Sequence, residues 1–231
     1  GAAPRNCMNQ RRRFERIDNP ESFQRAFGVS RETIDRLSTY ESLLRQWQKA
    51  VNLVAPGTLS QVWHRHLADS AQLAKLLPAE AKTLLDLGSG AGFPGLVLAM
   101  MSAERDGLKV TLLESDSRKT AFLREVARRT GVPVDILTAR IENPETQRKV
   151  GQVDVVTARA LAPLSRLLEL AAPYLSPSGV GVFLKGREVH GEIDEASIGW
   201  RFDVELVPSM TDPHGRIVVV RNVTAKRRVE P

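Results

Sequence analysis

A chain of 231 residues with 42% hydrophobic and 26% charged content can bury one sizeable core plus an appendage, which excludes a disordered tail. Its 33 Lys and Arg against 27 Asp and Glu give a formal charge of +6, which suits a polyanionic partner and equally a basic enzyme without one. The single cysteine, Cys7, excludes an internal disulfide and a CxxC metal pair, and no apolar run approaches the roughly 20 residues that cross a bilayer, so a cytoplasmic protein without membrane association is expected.

Residues 1–13 are rich in Arg, lack hydrophobic periodicity and read as a flexible basic start. From Ser30 to Leu77 apolar residues recur at helical spacing, with Ile34, Leu37, Tyr40, Leu44, Trp47 and Val51 on one stripe. Pro56-Gly57 divides that run into two helices, the first started by Ser30 with Thr33 and the second capped by Ser60. Residues 14–78 are therefore expected to form a helical appendage, with Trp47 and Trp63 in its core rather than on a base-stacking platform.

From Thr83 the pattern changes to short apolar runs alternating with amphipathic segments. The runs 83–87, 109–114, 132–138, 153–158 and 179–185 suit parallel strands covered on both faces by helices. Helices are predicted between them over 94–102, 117–130, 163–174 and 188–198, and the strands 202–207 and 216–222 close the chain as an antiparallel pair. Residues 79–231 thus read as one α/β domain with a seven-stranded, mostly parallel sheet.

After the first strand comes Asp86-Leu-Gly88-Ser-Gly90-Ala-Gly92-Phe-Pro-Gly95. Glycines here allow positive φ and close approach of backbone N–H groups to a ligand at a helix N-terminus. Gly90 to Gly95 matches the dinucleotide spacing GxGxxG, and Glu114 ends the second strand where a ribose-binding carboxylate belongs, so an oxidoreductase has to be considered. Asp86 tilts the reading: a carboxylate beside the loop repels a pyrophosphate but attracts the cationic amino-acid part of S-adenosylmethionine, unless it only satisfies loop N–H groups. Five parallel strands followed by an antiparallel pair also resemble the class I (Rossmann-like) methyltransferase fold.

Several separated blocks make a resemblance specific: WQKAVNLV (47–54), RHLADS (65–70), LLDLGSGAGFPG (84–95), LLESDSRKTAFL (112–123), ARIE (139–142), ARAL (158–161) and FLKG (183–186). In these the chain resembles the bacterial 16S ribosomal RNA guanine-N7 methyltransferases of the glucose-inhibited division protein B family. Gln48 departs from the Asn usual in that pattern, although both are amides. The resemblance implies methyl transfer from S-adenosylmethionine to N7 of a guanine in the 530 loop of 16S ribosomal RNA. It also implies cofactor contacts at Gly88, Phe93, Ile141, Glu142 and Arg159. Gly90 and Gly92 join them from the loop, and Glu114 from the general class I pattern. Phe93 presents an apolar surface to the cofactor or belongs to the core, and Glu142 accepts from the cofactor or caps a helix ahead of Asn143-Pro144.

Arg159, at the end of an otherwise apolar strand, is the one residue assigned a catalytic role, orienting either the cofactor or the guanine. Guanine N7 is a lone-pair acceptor without a proton, so no general base is needed. No Ser-His-Asp arrangement or metal-ligand spacing occurs, and no metal is expected. His64 and His66 are structural or touch RNA, and Asp69 and Ser70 hold the appendage to the sheet or shape an RNA entrance.

The resemblance implies 16S ribosomal RNA or the small ribosomal subunit as the partner, and a monomer is expected to meet it at a loop, a splayed base or an assembled ribosomal surface. Cations available for phosphates include Arg11 to Arg13, Arg118 and Lys119, Arg128 and Arg129, and Lys226 to Arg228; Arg65, Lys185 and Arg187 are the favoured contacts. A ribosome-binding sensor that holds the cofactor without turnover remains an alternative.

Overall fold

The computed structural model describes residues 16–104 and 107–227. The expectations for the flexible start, for Cys7, for Arg11 to Arg13 and for Arg228 fall outside them.

The first helix of the described residues is α1 (Pro20–Phe27), where Asn19 Oδ1 accepts from Ser22 N at 2.8 Å and Ser22 Oγ accepts from Asn19 N at 3.2 Å, a reciprocal capping box. Ser30 caps α2 (Arg31–Gln48) by accepting from Thr33 N at 3.1 Å, as the sequence predicted. The Gln48 amide then brackets the following turn: Oε1 accepts from Leu53 N and Val54 N, and Nε2 donates to Val54 O.

The second helical run is irregular. A 3-10 segment (Pro56–Gln61) leads into a π turn (Trp63–Ala68), the short α3 (Asp69–Ala71) and a 3-10 turn (Ala74–Leu76). Ser60 caps nothing: it lies inside a segment started by Pro56, whose locked φ suits a first helical position without a side-chain cap.

Among the described residues seven strands follow: β1 (Thr83–Leu87), β2 (Lys109–Glu114), β3 (Asp135–Thr138), β4 (Val153–Arg159), β5 (Leu175–Lys185), β6 (Trp200–Pro208) and β7 (Arg216–Ala225). They form one sheet in the order β3-β2-β1-β4-β5-β7-β6, and only β7 runs against the rest. β3 starts three residues later than its apolar run, beyond Pro133, which has no N–H for a ladder. β5 starts earlier, because Val153 pairs with Leu175 across a register shift.

The helices are α4 (Gly95–Ser102), α5 (Ser117–Thr130), α6 (Pro144–Val150), α7 (Leu164–Ala171) and α8 (Val189–Gly199). α6 was not predicted. Its cap is Asn143, which accepts from Glu145 N at 3.0 Å, so the capping considered for Glu142 falls to its neighbour.

Alternation along the strands divides the core in two. Leu84, Leu112 and Val155 face α4, α5 and the N-terminal helices, whereas Leu85, Leu87, Leu113 and Val156 face α7 and α8. Phe23, Leu37, Leu44, Trp63 and Leu67 belong to the first of these clusters, so the N-terminal helices share a core with the sheet. Among the described residues no helix is long and apolar enough to cross a membrane.

Candidate active site

The loop after β1 opens at the switch point where the chain passes from the β2 side of β1 to the β4 side, the place where open α/β sheets collect ligands. Gly88, Gly90 and Gly92 have φ of 63°, 55° and 101°. At Gly92 a side chain is doubly excluded, since a Cβ would stand 2.5 Å from Tyr40 Oη. At Gly90 nothing but Gly88 O comes within 4 Å, at 3.9 Å, so that face of the loop is open.

Asp86 lies beneath the loop and not on its open face. It shares the strand face of Leu84, where α4 packs so closely that a Cβ on Gly95 would meet Asp86 Cβ at 2.5 Å. The side chain is fully buried; Oδ1 accepts from Thr157 Oγ1 at 2.8 Å, and Oδ2 has no partner among the described residues. Burial pushes its carboxyl up to about 6. The expected direct approach to a cationic amino group is therefore corrected to a position one layer below.

Glu114 is nearly buried and ties three strand ends together. Its Oε1 accepts from Gly90 N at 2.9 Å, its Oε2 from Asp116 N at 2.7 Å, and its main-chain oxygen from Ala139 N at 3.1 Å. Each carboxylate oxygen keeps a lone pair. Beyond β3, Ile141 is buried and Glu142 exposed. Tyr174 Oη donates to Ile141 O at 2.6 Å; burial, with Glu142 nearby, raises that phenol to about 12 and keeps it a donor. Gly88, Gly90, Glu114, Ile141 and Glu142 thus line one side of the sheet edge.

Phe93 is 4% exposed, and its ring belongs to the buried core beside the N-terminal helices. It stacks between Tyr40 and His66, at centroid distances of 5.3 and 5.0 Å, and the Arg159 guanidinium stands 5.0 Å from its centroid. Tyr40 Oη also donates to Ala91 O, fastening α2 to the glycine loop.

Arg159 is held by the N-terminal helices. Nη1 reaches Arg65 O at 3.3 Å and Asp69 Oδ2 at 3.4 Å, and Nη2 lies 3.0 Å from His66 Nδ1. A guanidinium can only donate, so His66 Nδ1 accepts and Nε2 carries the proton. Nε2 then donates to Thr58 Oγ1 at 2.7 Å, and Thr58 Oγ1 donates in turn to Ala55 O at 2.6 Å. Burial first, then Arg159 and Arg65, lower His66 to about 3 and keep it neutral.

Asp69 Oδ1 accepts from Thr211 Oγ1 at 2.7 Å and from Gln72 Nε2 at 3.2 Å, joining α3 to the β6–β7 loop. His64 Nδ1 accepts from Ile17 N at 3.1 Å, and its Nε2 meets Thr211 O at 3.0 Å. Both histidines are therefore engaged in internal contacts.

Next to Arg159 a cleft of about 610 Å³ runs along the ends of β4 and β5, lined by Asp69, Arg159, the segment 160–163, Lys185, Glu192 and Arg216, among others. Lys185, expected to meet RNA phosphates, turns inward instead. Its side chain is 8% exposed, Nζ donates to Ala162 O, and an ion pair of 2.9 Å joins it to Glu192. Arg65 and Arg187 are exposed and have no side-chain hydrogen bond or ion pair among the described residues. Arg118 and Arg128 pair locally with Asp116 and Glu125. No group of three or more His, Cys, Asp or Glu is placed to hold a metal among the described residues.

Tyr40, Thr58, Tyr174 and Glu192 were not singled out for the site by sequence reasoning. Tyr40 is one member of an apolar stripe, and nothing local in the sequence distinguishes a phenol that packs from one that also reaches a loop carbonyl.

Strand order, the reversed β7 and the glycine loop at the switch point define the Rossmann-like methyltransferase class. The fold is shared with a SAM-dependent methyltransferase from Aquifex aeolicus (TM-score 0.52, 17% identity, 78% of this chain and 97% of that one). It is shared also with an O-methyltransferase from Bacillus cereus (TM-score 0.54, 16% identity, 80% and 90%). Within that class the chain belongs to the rRNA small subunit methyltransferase G (GidB) family, whose model matches residues 33–218. It is 50% identical over 207 residues to Ribosomal RNA small subunit methyltransferase G of Parvibaculum lavamentivorans, covering 90% of this chain and 91% of that one. Over 204 residues it is 52% identical to the protein of the same name from Rhodospirillum centenum, covering 88% and 91%.

Proposed function

We propose that this chain transfers a methyl group from S-adenosylmethionine to N7 of a guanine in the 530 loop of 16S ribosomal RNA. It works as a cytoplasmic monomer on the RNA or on the small subunit. One observation carries the reading: the blocks RHLADS, GFPG and ARAL meet in the Phe93 stack, between a glycine loop with an open face and a cleft at the strand ends.

The residues fit the cofactor. Gly88, Gly90 and Gly92 give the loop its positive-φ backbone, and Gly90 supplies the open face that a ligand needs. The free lone pairs of Glu114 suit ribose hydroxyls, Ile141 an adenine face, and Glu142 a polar group of the cofactor. Phe93 acts from behind, by fixing Arg159 and the loop. When bound, S-adenosylmethionine supplies an electrophilic methyl on sulfur. Because N7 carries no proton, the residues have no proton to move, and Arg159 orients the guanine for in-line approach. Arg65 and Arg187, exposed and uncommitted, are the proposed phosphate contacts.

The test incubates the purified protein with methyl-labelled S-adenosylmethionine and with naked 16S RNA, assembly intermediates and small subunits from cells lacking this modification. Label recovered as N7-methylguanine in the 530 loop is expected. Cofactor binding without label in any of these substrates overturns the reading and leaves a cofactor sensor.

A further inference from the structure

Lys185 and Glu192 grip the two sides of Pro163. Lys185 Nζ donates to Ala162 O, and Glu192 Oε1, 2.9 Å from that ammonium, also accepts from Leu164 N at 2.8 Å. Proline has no N–H of its own, so this pair fixes the carbonyl before it and the N–H after it.

The segment so held is under constraint. β4 ends at Arg159, and the next residue, Ala160, has φ of 49°, a conformation that an L-side chain adopts at a cost and that surrounding contacts must impose. Leu161 lies directly over the glycine loop: a Cβ on Gly88 would stand 2.7 Å from Leu161 Cδ1. The segment therefore touches the proposed cofactor loop on one side and lines the cleft on the other.

We propose that Lys185 is a positioning residue for methyl transfer: paired with Glu192, it holds Ala160–Pro163 between the cofactor loop and the guanine cleft, and it does not contact RNA. This rests on the methyl-transfer reading above. Its ammonium is already dehydrated and paired, and turning it to a phosphate would leave Glu192 without its cation. The grip matters for transfer because in-line approach tolerates little displacement of the walls that aim the base.

The experiment compares wild type, Lys185→Met, Glu192→Gln and Ala160→Gly as full chains on the substrate that accepts label, measuring kcat, RNA KM, the salt dependence of RNA binding and Tm. Lys185→Met and Glu192→Gln are each expected to lower kcat about tenfold or more, with RNA KM and salt slope unchanged and with no further loss in the double variant. Ala160→Gly, which frees the backbone without emptying a charge pair, should lower kcat in the same way and serves if Lys185→Met does not fold.

A phosphate contact predicts the opposite for this pair. Lys185→Met would raise RNA KM and reduce the salt slope by about one, while Glu192→Gln would tighten RNA binding; that result overturns the proposal. So does a fall in Tm with kcat unchanged for the folded fraction, which marks a merely structural pair. A wild type that labels no substrate sinks the methyl-transfer reading itself, before any variant is compared.

Discussion

His66 and Asp86, two buried titratable side chains next to the Phe93 stack and the glycine loop, have pKa values shifted in opposite senses relative to stability. His66 is lowered from 6.5 to about 3, so as pH falls below 6.5 the unfolded chain takes up a proton that the folded chain refuses, and stability is lost. Asp86 is raised from 3.8 to about 6, so between those values the folded chain holds a proton that the unfolded chain lacks, and stability rises as pH falls. Between about pH 6 and 4 the two slopes oppose each other, each about 1.4 kcal/mol per unit. Asp86→Asn removes one of them. The unfolding free energy of the variant, relative to wild type, should therefore fall by about 1.4 kcal/mol per unit as pH is lowered through that window, as measured by urea denaturation. A difference that stays level would deny that Asp86 titrates there. Phe93, His66 and Arg159 were each legible inside a motif. That they touch was not, because His66 and Arg159 are 93 positions apart and packing, not local pattern, brings them together.

The glycine loop and α4 separate two jobs that one motif hides. Gly95 is a packing glycine: a methyl there meets Asp86 Cβ and Leu112 Cδ2, both at 2.5 Å, so Gly95→Ala must push α4 off the sheet, at about 1–3 kcal/mol of stability. Gly90 faces open space at φ 55°, so Gly90→Ala should cost only about 1–2 kcal/mol of backbone strain while its methyl obstructs the open face of the loop. Calorimetric titration with S-adenosylhomocysteine is expected to show about tenfold weaker binding or worse for Gly90→Ala, although it melts closer to wild type. Unimpaired binding by Gly90→Ala would move the cofactor away from this face. The bounds of β1, β2 and α5 were readable because apolar runs there end against glycine, charge or a capping Asp116. The π turn carrying His66 was not, since its residues show the same spacing as an α-helix and only tertiary contacts select the wider turn.

For the whole molecule, the change in hydrophobic periodicity suggests a boundary near Pro78, yet the contacts cross it. Phe23, Leu44 and Trp63 lie in the same buried cluster as Leu98 of α4 and Leu123 of α5. Polar ties reinforce that join at the glycine loop through Tyr40, at β4 through Asp69 and Arg159, and at the β6–β7 loop through His64 and Asp69. Without the N-terminal helices, one face of the α4–α5 layer would lose its apolar cover, and Arg159 would lose its carboxylate partner. We therefore expect helices and sheet to unfold as one cooperative unit. The three tryptophans allow this to be read directly: Trp47 and Trp63 report the helices, and Trp200 reports β6 at the far edge of the sheet. Urea unfolding followed by fluorescence of Trp200→Phe, and separately of the double variant Trp47→Phe with Trp63→Phe, should each superimpose on the far-UV circular dichroism of the same variant. A Trp47 and Trp63 signal that melts at lower urea than the sheet would make the helices a separable domain, and the hold on Arg159 would then be one that the protein can release while the sheet stays folded.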